Sequence, residues 1–207
     1  MPGQRAPEEA RREQIVKAAY EVALRTGITG VTLRAVAAEA GLSHGLVLFH
    51  FKRKDEVIGA LLDRVLATTA ILQMSEDAGR LPPRAPHRLD ALLLRELKRL
   101  AHDPRGMRLF FEYWALGVRQ TAIRQKIAAA LERYRAAFRS LAEETLPPDT
   151  PPGAAVTPDA LAAVAVSLIN GCAVQMMIDP DRFDTEAYRV AVRTLVGRLV
   201  PAASEVR

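Results

Sequence analysis

The chain of 207 residues is poor in the side chains that support covalent or metal chemistry. Its single cysteine, Cys172, excludes an intramolecular disulfide and is typical of a reducing compartment. The four histidines lack the spacing of metal ligands, and no glycine-rich phosphate-binding loop is present in the sequence. We therefore expect no metal site, no bound cofactor and no enzymatic activity.

The sequence also lacks the alternation of apolar and polar residues that half-buried strands require. Apolar residues instead recur every three or four positions, in segments separated by Gly and Pro, which predicts an all-α fold. Residues 160–178 contain no charged side chain and approach the length of a membrane span. Because Ser167, Asn170 and Gln175 interrupt this segment, we interpret it as a helix buried between other helices.

The charge of the chain permits a polyanionic partner without requiring one. The net charge is +5 at pH 7, and the basic residues are spread along the chain apart from Lys52, Arg53 and Lys54. The first residues are polar and have no apolar core of the kind found in signal peptides. We expect a cytoplasmic protein that does not associate with a membrane.

Residues 32–51 carry the most informative pattern. Thr32 and Ser43 are each placed to cap the start of a short helix, and Gly41 stands between the two helices, where a positive φ is favourable. Leu33, Val36, Ala37 and Ala40 give the first helix one apolar face. This pattern predicts a helix-turn-helix whose second helix enters the major groove of DNA.

Part of the same segment also matches a catalytic motif of hydrolases. Residues 41–45 match G-x-S-x-G, the serine nucleophile motif of α/β-hydrolases. That motif needs a strand before the serine to hold it in a strained turn, whereas a helix is predicted here. We therefore interpret Ser43 as a helix cap.

The flanking residues extend the pattern. An amphipathic helix ending near Gly27 precedes it, and Phe49, His50, Phe51 and Lys54 follow it. With these features, the segment from Arg12 to Leu66 resembles the tetracycline-repressor (TetR) family of bacterial transcription regulators. The resemblance implies a three-helix DNA-binding domain in residues 1–56 and a larger helical effector-binding and dimerisation domain in residues 57–207. It also implies a homodimeric repressor that a small molecule releases from an inverted-repeat operator.

The resemblance places DNA contacts at the start of both helices and at the beginning of the next one. The implied residues are Thr32, Arg34, Ser43, His44, Gly45, Leu46, Phe49, His50 and Lys54. Two positions depart from the family pattern, because Leu48 replaces a usual tyrosine and Leu46 replaces a common threonine. The loss of the tyrosine hydroxyl at position 48 keeps a second interpretation open, in which the protein is a small-molecule carrier or sensor with a vestigial DNA-binding domain. A membrane-associated helical protein is the third.

Two further groups of residues are predicted in the C-terminal part. An aromatic cluster with a few polar residues is typical of a small-molecule site, here for a largely apolar effector, although a solid core gives the same pattern. The predicted lining is Phe110, Phe111, Tyr113, Trp114, Tyr134, Phe138, Asn170, Gln175, Met176 and Met177. The last two helices carry apolar stripes that pack either within the subunit or against a second copy, and we favour the dimer. The stripe residues are Leu161, Val164, Leu168, Cys172, Tyr188, Val192, Leu195 and Leu199.

Overall fold

The computed structural model describes residues 7–68, 88–100, 104–145 and 156–199, which are mostly α-helical. No strand occurs within these ranges, and the predicted all-α fold is confirmed. The helices are α1 (Glu8–Gly30), α2 (Leu33–Ala40), α3 (His44–His50), α4 (Lys54–Thr68), α5 (Arg88–Leu100), α6 (Pro104–Gly117), α7 (Thr121–Thr145), α8 (Pro158–Ile178) and α9 (Thr185–Leu199). The sequence also predicts a loop at residues 147–153 and the end of a connecting helix at residues 81–83, and both segments lie outside the described residues.

The chain forms two compact units. The first contains residues 1–69 and 105–128, and the second contains residues 70–104 and 129–207. The first unit therefore includes the helix-turn-helix, α4, most of α6 and the beginning of α7. This first unit extends well beyond the predicted domain boundary at residue 56, because side chains of α6 form hydrogen bonds with both α1 and α4.

Helix α1 is interrupted close to its end. Gly27 has φ 73° and ψ 175°, outside helical geometry, and the residues from Ile28 to Gly30 form a further turn after it. The sequence predicted that Gly27 ends the helix, and the structure shows a kink there instead. Ile15, Ala19, Val22 and Ala23 are buried and provide the apolar face that packs on α2 and α4.

The predicted caps of the helix-turn-helix are confirmed. The Ala35 amide donates to the Thr32 hydroxyl at 3.1 Å, and the Leu46 amide donates to the Ser43 hydroxyl at 3.2 Å. Gly41 ends α2 with φ 65° and ψ 32°, and the Leu42 amide donates to the Ala37 carbonyl across the turn. Each cap contributes about 1 kcal/mol, so the turn is fixed by local chemistry.

Gly41 and Gly45 allow a matched test of this turn. A Cβ at either position would meet nothing within 4 Å, so only backbone conformation distinguishes them. We expect Gly41→Ala to lower the free energy of unfolding by about 1 kcal/mol, because alanine disfavours positive φ. Gly45→Ala should leave it unchanged or raise it by up to about 1 kcal/mol, because Gly45 is helical. Urea unfolding of both variants checks this, and an equal loss in both would contradict it.

The second unit is built around α8 and its neighbours. Thr157 caps α8 through its hydroxyl, Pro158 occupies the first turn, and the helix ends at Ile178 before Asp179. Helices α5 and α9 pack against α8 and against each other. The buried face of α8 is formed by Leu161, Ala162, Ala165, Val166, Ile169, Cys172 and Ala173. Small side chains dominate this list, which allows a close approach of the neighbouring helices.

Among the described residues, α8 is the one helix that is long and apolar enough to cross a membrane. Length and composition carry little weight alone, since a core helix of a folded domain satisfies the same test. One face of α8 is buried within its own unit, whereas Val164, Val174 and Ile178 are exposed, so the helix is buried on one side only.

Candidate functional site

The outer face of α3 presents side chains that can read DNA. His44 and Gly45 are exposed at the start of the helix, and Phe49 is 66% exposed near its end. On the preceding helix, Arg34 is exposed in the first turn of α2. Leu46 is only half-buried, and Leu48 is 36% exposed, so both have apolar surface available for a thymine methyl group.

The capping side chains keep a donor for phosphate. Thr32 and Ser43 each use the hydroxyl oxygen to accept a backbone N–H, and both residues are exposed. The hydroxyl protons remain able to donate to a phosphate oxygen. Lys54 lies at the start of α4, where its Nζ donates to the Thr29 carbonyl at 3.4 Å. An ammonium group has two further protons for a phosphate.

Arg12 supports the end of the recognition helix, and the sequence analysis missed it. Its guanidinium donates to the His50 carbonyl at 2.5 Å and lies 4.2 Å from the centroid of the Phe51 ring, which is fully buried. The His50 ring packs edge-on against Phe49, and its buried Nδ1 has no hydrogen-bond partner in the part of the chain that the structure describes. Arg12 therefore fixes the backbone from which His50 projects.

The aromatic residues of α6 do not share one environment. Phe110, Phe111 and Trp114 are half-buried and contact one another edge-on, with ring centroids 5.3 to 5.9 Å apart. The Trp114 indole nitrogen is buried without an acceptor among the described atoms. Tyr113 is fully buried in the first unit, and its hydroxyl donates to the Ile58 carbonyl at 2.8 Å. Tyr113 is one of the predicted effector residues, but its hydroxyl is already used within the first unit.

Three polar residues tie α6 and the start of α7 to the DNA-binding helices. Arg108 donates to the Leu24 carbonyl of α1 at 2.8 Å, and Glu112 accepts from the Ile28 amide at 2.6 Å. Lys126 forms an ion pair with Asp63 of α4 at 2.5 Å. The sequence analysis did not identify these residues, because their partners are more than sixty positions away. A cleft of about 600 Å³ is lined by Arg108, Glu112 and residues 25–29.

In the second unit, two of the predicted effector residues belong to the core. Tyr134 and Phe138 are buried and contact each other edge-on. The Tyr134 hydroxyl donates to the carboxylate of Glu96, which is 1% exposed and also pairs with Arg99. Burial beside Glu96 raises the pKa of Tyr134 well above its ordinary value, so the hydroxyl stays protonated. These two aromatic residues stabilise the unit, as the solid-core interpretation predicted.

The remaining predicted effector residues lie on α8. Asn170, Met176 and Met177 are half-buried, and Gln175 is exposed. The Cys172 thiol donates to the Met176 sulfur at 3.9 Å, and burial raises the pKa of Cys172 to about 11. This thiol is therefore protonated at neutral pH and unreactive. The predicted effector residues fall into both compact units, with the α6 cluster in the first and the α7 and α8 residues in the second.

The predicted dimerisation stripe is only partly on the surface. Leu161, Cys172 and Val192 are buried within the subunit, so the prediction that they meet a partner is wrong. Tyr188 is half-buried, and its hydroxyl donates to the carbonyl of Leu168, which is also half-buried. The Leu199 side chain lies outside the described atoms. Among the described residues, the large apolar side chains that α8 and α9 expose are Val164, Val174, Ile178, Val190 and Leu195.

Two family profiles cover most of the chain. Residues 15–61 match bacterial regulatory proteins of the tetR family, and residues 85–201 match the C-terminal domain of BetI-type transcriptional repressors. The chain is 31% identical over 188 residues to an uncharacterized HTH-type transcriptional regulator in the dhlA 5′ region of Xanthobacter autotrophicus, covering 86% of this chain and 85% of the relative. It is 28% identical over 115 residues to the HTH-type transcriptional regulator BetI of Stenotrophomonas maltophilia, covering 55% of this chain and 57% of BetI.

Solved structures have the same fold. A TetR transcription regulator from Haloarcula marismortui superposes with a TM-score of 0.77 at 19% identity, over 93% of this chain and 100% of that chain. The multidrug binding protein EbrR complexed with imidazole superposes with a TM-score of 0.69 at 24% identity, over 99% of this chain and 98% of that chain. With both profiles and a relative matched along most of its length, the chain belongs to the TetR family of DNA-binding bacterial transcriptional regulators, with a C-terminal domain of the BetI-type repressors.

Proposed function

We propose that the protein is a cytoplasmic, homodimeric repressor that binds an inverted-repeat operator and leaves it when a small molecule binds. The observation that carries this proposal is the exposed face of α3, which is capped by Ser43 and joined through the Gly41 turn to α2, itself capped by Thr32. A single helix of seven residues reads few bases, so two copies about 34 Å apart give the needed specificity.

The proposed DNA contacts divide by chemistry. His44, Gly45 and Leu46, with Arg34 from α2, face base edges and set the sequence that is recognised. A second group contacts phosphates and sets the position on DNA of the helix-turn-helix, residues 32–51, which we call the reader. These residues are Thr32, Ser43, His50 and Lys54. Phe49 contributes apolar surface beside them and is approached by the Lys52 ammonium, 5.5 Å from its ring centroid.

Selection of duplexes from a random DNA pool, at two salt concentrations, tests the proposed function. We expect an enriched inverted repeat whose affinity falls with salt. His44→Ala should cost roughly tenfold and relax specificity at the bases it contacts, because a base contact contributes about 1–3 kcal/mol. Lys54→Ala should weaken binding to all sequences and lower the salt slope by about 1 for each half-site.

Arg133→Ala is the matched control, because Arg133 is an exposed cation on α7 in the second unit. It should leave both affinity and salt slope unchanged. If the protein enriches no sequence, or if Lys54→Ala retains the wild-type salt slope, the assignment of the reader is refuted. That result would favour the second interpretation, a small-molecule carrier or sensor.

For the effector, the α6 cluster is the best-supported site. Phe110, Phe111 and Trp114 retain exposed aromatic surface, and the Trp114 indole N–H lies buried without an acceptor in the described structure. A largely apolar effector with an aromatic or cationic part and one acceptor atom would suit these groups. On α8, Asn170, Met176 and Met177 are half-buried, and the thioethers adapt easily to varied ligands. That EbrR was solved with imidazole supports a search among small heterocyclic compounds.

Trp114 is the single tryptophan of the chain, so its fluorescence reports on this cluster alone. Titration with imidazole and related heterocycles should change the emission if they bind there. Phe111→Ala should weaken the response, whereas a change at Phe183, which lies on the other unit beside Tyr188, should not.

A further inference from the structure

The kink in α1 is held by a neighbouring helix. In an uninterrupted α-helix the Ile28 amide would pair with the Leu24 carbonyl, four positions earlier. In this structure the amide donates to Glu112 Oε2 at 2.6 Å, and the carbonyl accepts from Arg108 Nη2 at 2.8 Å. Two side chains one turn apart on α6 therefore bond the donor and the acceptor on either side of Gly27. We call Arg108 and Glu112 the kink clamp.

The clamp fits closely around Gly27. A Cβ on this residue would lie 3.0 Å from Glu112 Oε2, in addition to the strain of φ 73°. The two clamp residues also face each other, with Arg108 Nε 3.8 Å from Glu112 Oε1. All of these atoms belong to the first compact unit. Any shift of α6 along or about its axis therefore changes the hydrogen bonds at the kink.

The residues after the kink lead directly to the proposed phosphate contacts. The turn that begins at Ile28 carries Thr29, whose carbonyl accepts from Lys54 Nζ, and it leads to the helix cap Thr32. The clamp therefore sets the position of both Lys54 and Thr32, although neither clamp residue belongs to the helix-turn-helix.

We propose that Arg108 and Glu112 are positioning residues for DNA binding, and that α6 acts on the reader through them. This inference rests on the proposed function. At helical spacing, Phe110 and Trp114 lie on the side of α6 opposite to the clamp, so a ligand that displaces the aromatic side also displaces the clamp. The affinity for operator then falls with the fraction of protein that keeps the kink in place.

Operator affinity of clamp variants is the test, with the duplex obtained from the random-pool selection. Glu112→Ala should weaken binding about tenfold, the effect expected from one hydrogen bond to a charged acceptor. Glu112→Gln should stay within about threefold of wild type, because its amide oxygen still accepts from Ile28. Glu132→Ala is the control, since Glu132 is likewise a glutamate paired with arginine on a helix, here with Arg135 and Arg139, but lies in the second unit.

Arg108→Met provides a second variant that keeps the aliphatic stem, with Arg105→Met on the same helix as its exposed control. We expect a loss of about threefold to tenfold for the former and none for the latter. Hydrogen exchange at the Ile28 amide should accelerate in Glu112→Ala and remain slow in Glu112→Gln. Exchange at this amide shows whether the clamp bond is kept, and operator affinity shows whether that bond positions the DNA-binding residues.

Trp114 emission tests the route through α6. Operator duplex should change the emission of the wild-type protein, and Glu112→Ala should lose this change, because coupling between two sites is reciprocal. If the wild-type protein binds operator and Glu112→Ala binds it with an affinity within twofold of wild type, the inference is overturned and the proposed function stays intact. A wild-type protein that binds no duplex overturns both.

Discussion

Gly171→Leu is expected to convert the proposed dimer into monomers and to weaken operator binding by about 100-fold or more. A Cβ at Gly171 would meet nothing within 4 Å, so a side chain can leave the backbone at this position without a clash at its first atom. The exposed apolar side chains Val164, Val174 and Ile178 lie on the same helix. A bulky residue among them prevents the close approach of a second copy. Losing the link between two readers removes the avidity gain of about 10² to 10⁴.

Gly171→Ala is the control, because it adds one methyl group and improves helix propensity. It should remain dimeric and bind operator like the wild type. Sedimentation velocity gives the oligomeric state, and fluorescence anisotropy with labelled operator gives the affinity. A Gly171→Leu protein that remains a dimer with unchanged affinity would show that this face of α8 is not the interface.

Phe51→Ala is expected to destabilise the first unit by about 3–5 kcal/mol, a large part of the 5–15 kcal/mol typical of a folded domain. The Phe51 ring is fully buried, and the Arg12 guanidinium lies over it at 4.2 Å. Truncation leaves a cavity and removes the surface on which Arg12 rests. Arg12 then no longer holds the His50 carbonyl at the end of the recognition helix.

Phe49→Ala is the matched comparison, two positions earlier in the same segment. Because Phe49 is 66% exposed, its truncation should change the free energy of unfolding by about 0.5 kcal/mol or less. We expect weaker operator binding instead, by roughly tenfold for a lost base or sugar contact. Urea unfolding and anisotropy separate the two effects. Equal destabilisation by both variants would contradict the assignment of Phe49 to the DNA-binding face.

Local chemistry explains why the reader was predictable. Thr32, Gly41 and Ser43 act on backbone groups within a few positions of themselves, and each one does in the structure what its residue type predicts. The same holds for Thr157 and Pro158 at the start of α8. Hydrogen bonds over such short separations depend little on the rest of the fold, so the pattern alone is sufficient.

Helical spacing identified apolar faces but did not decide what covers them. Leu161, Cys172 and Val192 have the periodicity of an interface, yet they are buried inside the subunit, whereas Val174, Ile178 and Val190 are exposed. Tyr113 is a residue type that often lines ligand sites, yet its hydroxyl donates to the Ile58 carbonyl within the subunit. An apolar stripe has the same sequence whether it meets its own chain or a second copy, so periodicity cannot distinguish the two.

The sequence by itself determined the all-α fold, the helix-turn-helix with its caps and the family to which the protein belongs, because these depend on local hydrogen bonds and on short motifs. Only the tertiary structure showed that α6 belongs with the DNA-binding helices, through Arg108 and Glu112 at the kink of α1. Their partners are 84 positions away along the chain. Contacts over that distance are set by how the helices pack, and no local pattern in the sequence records them.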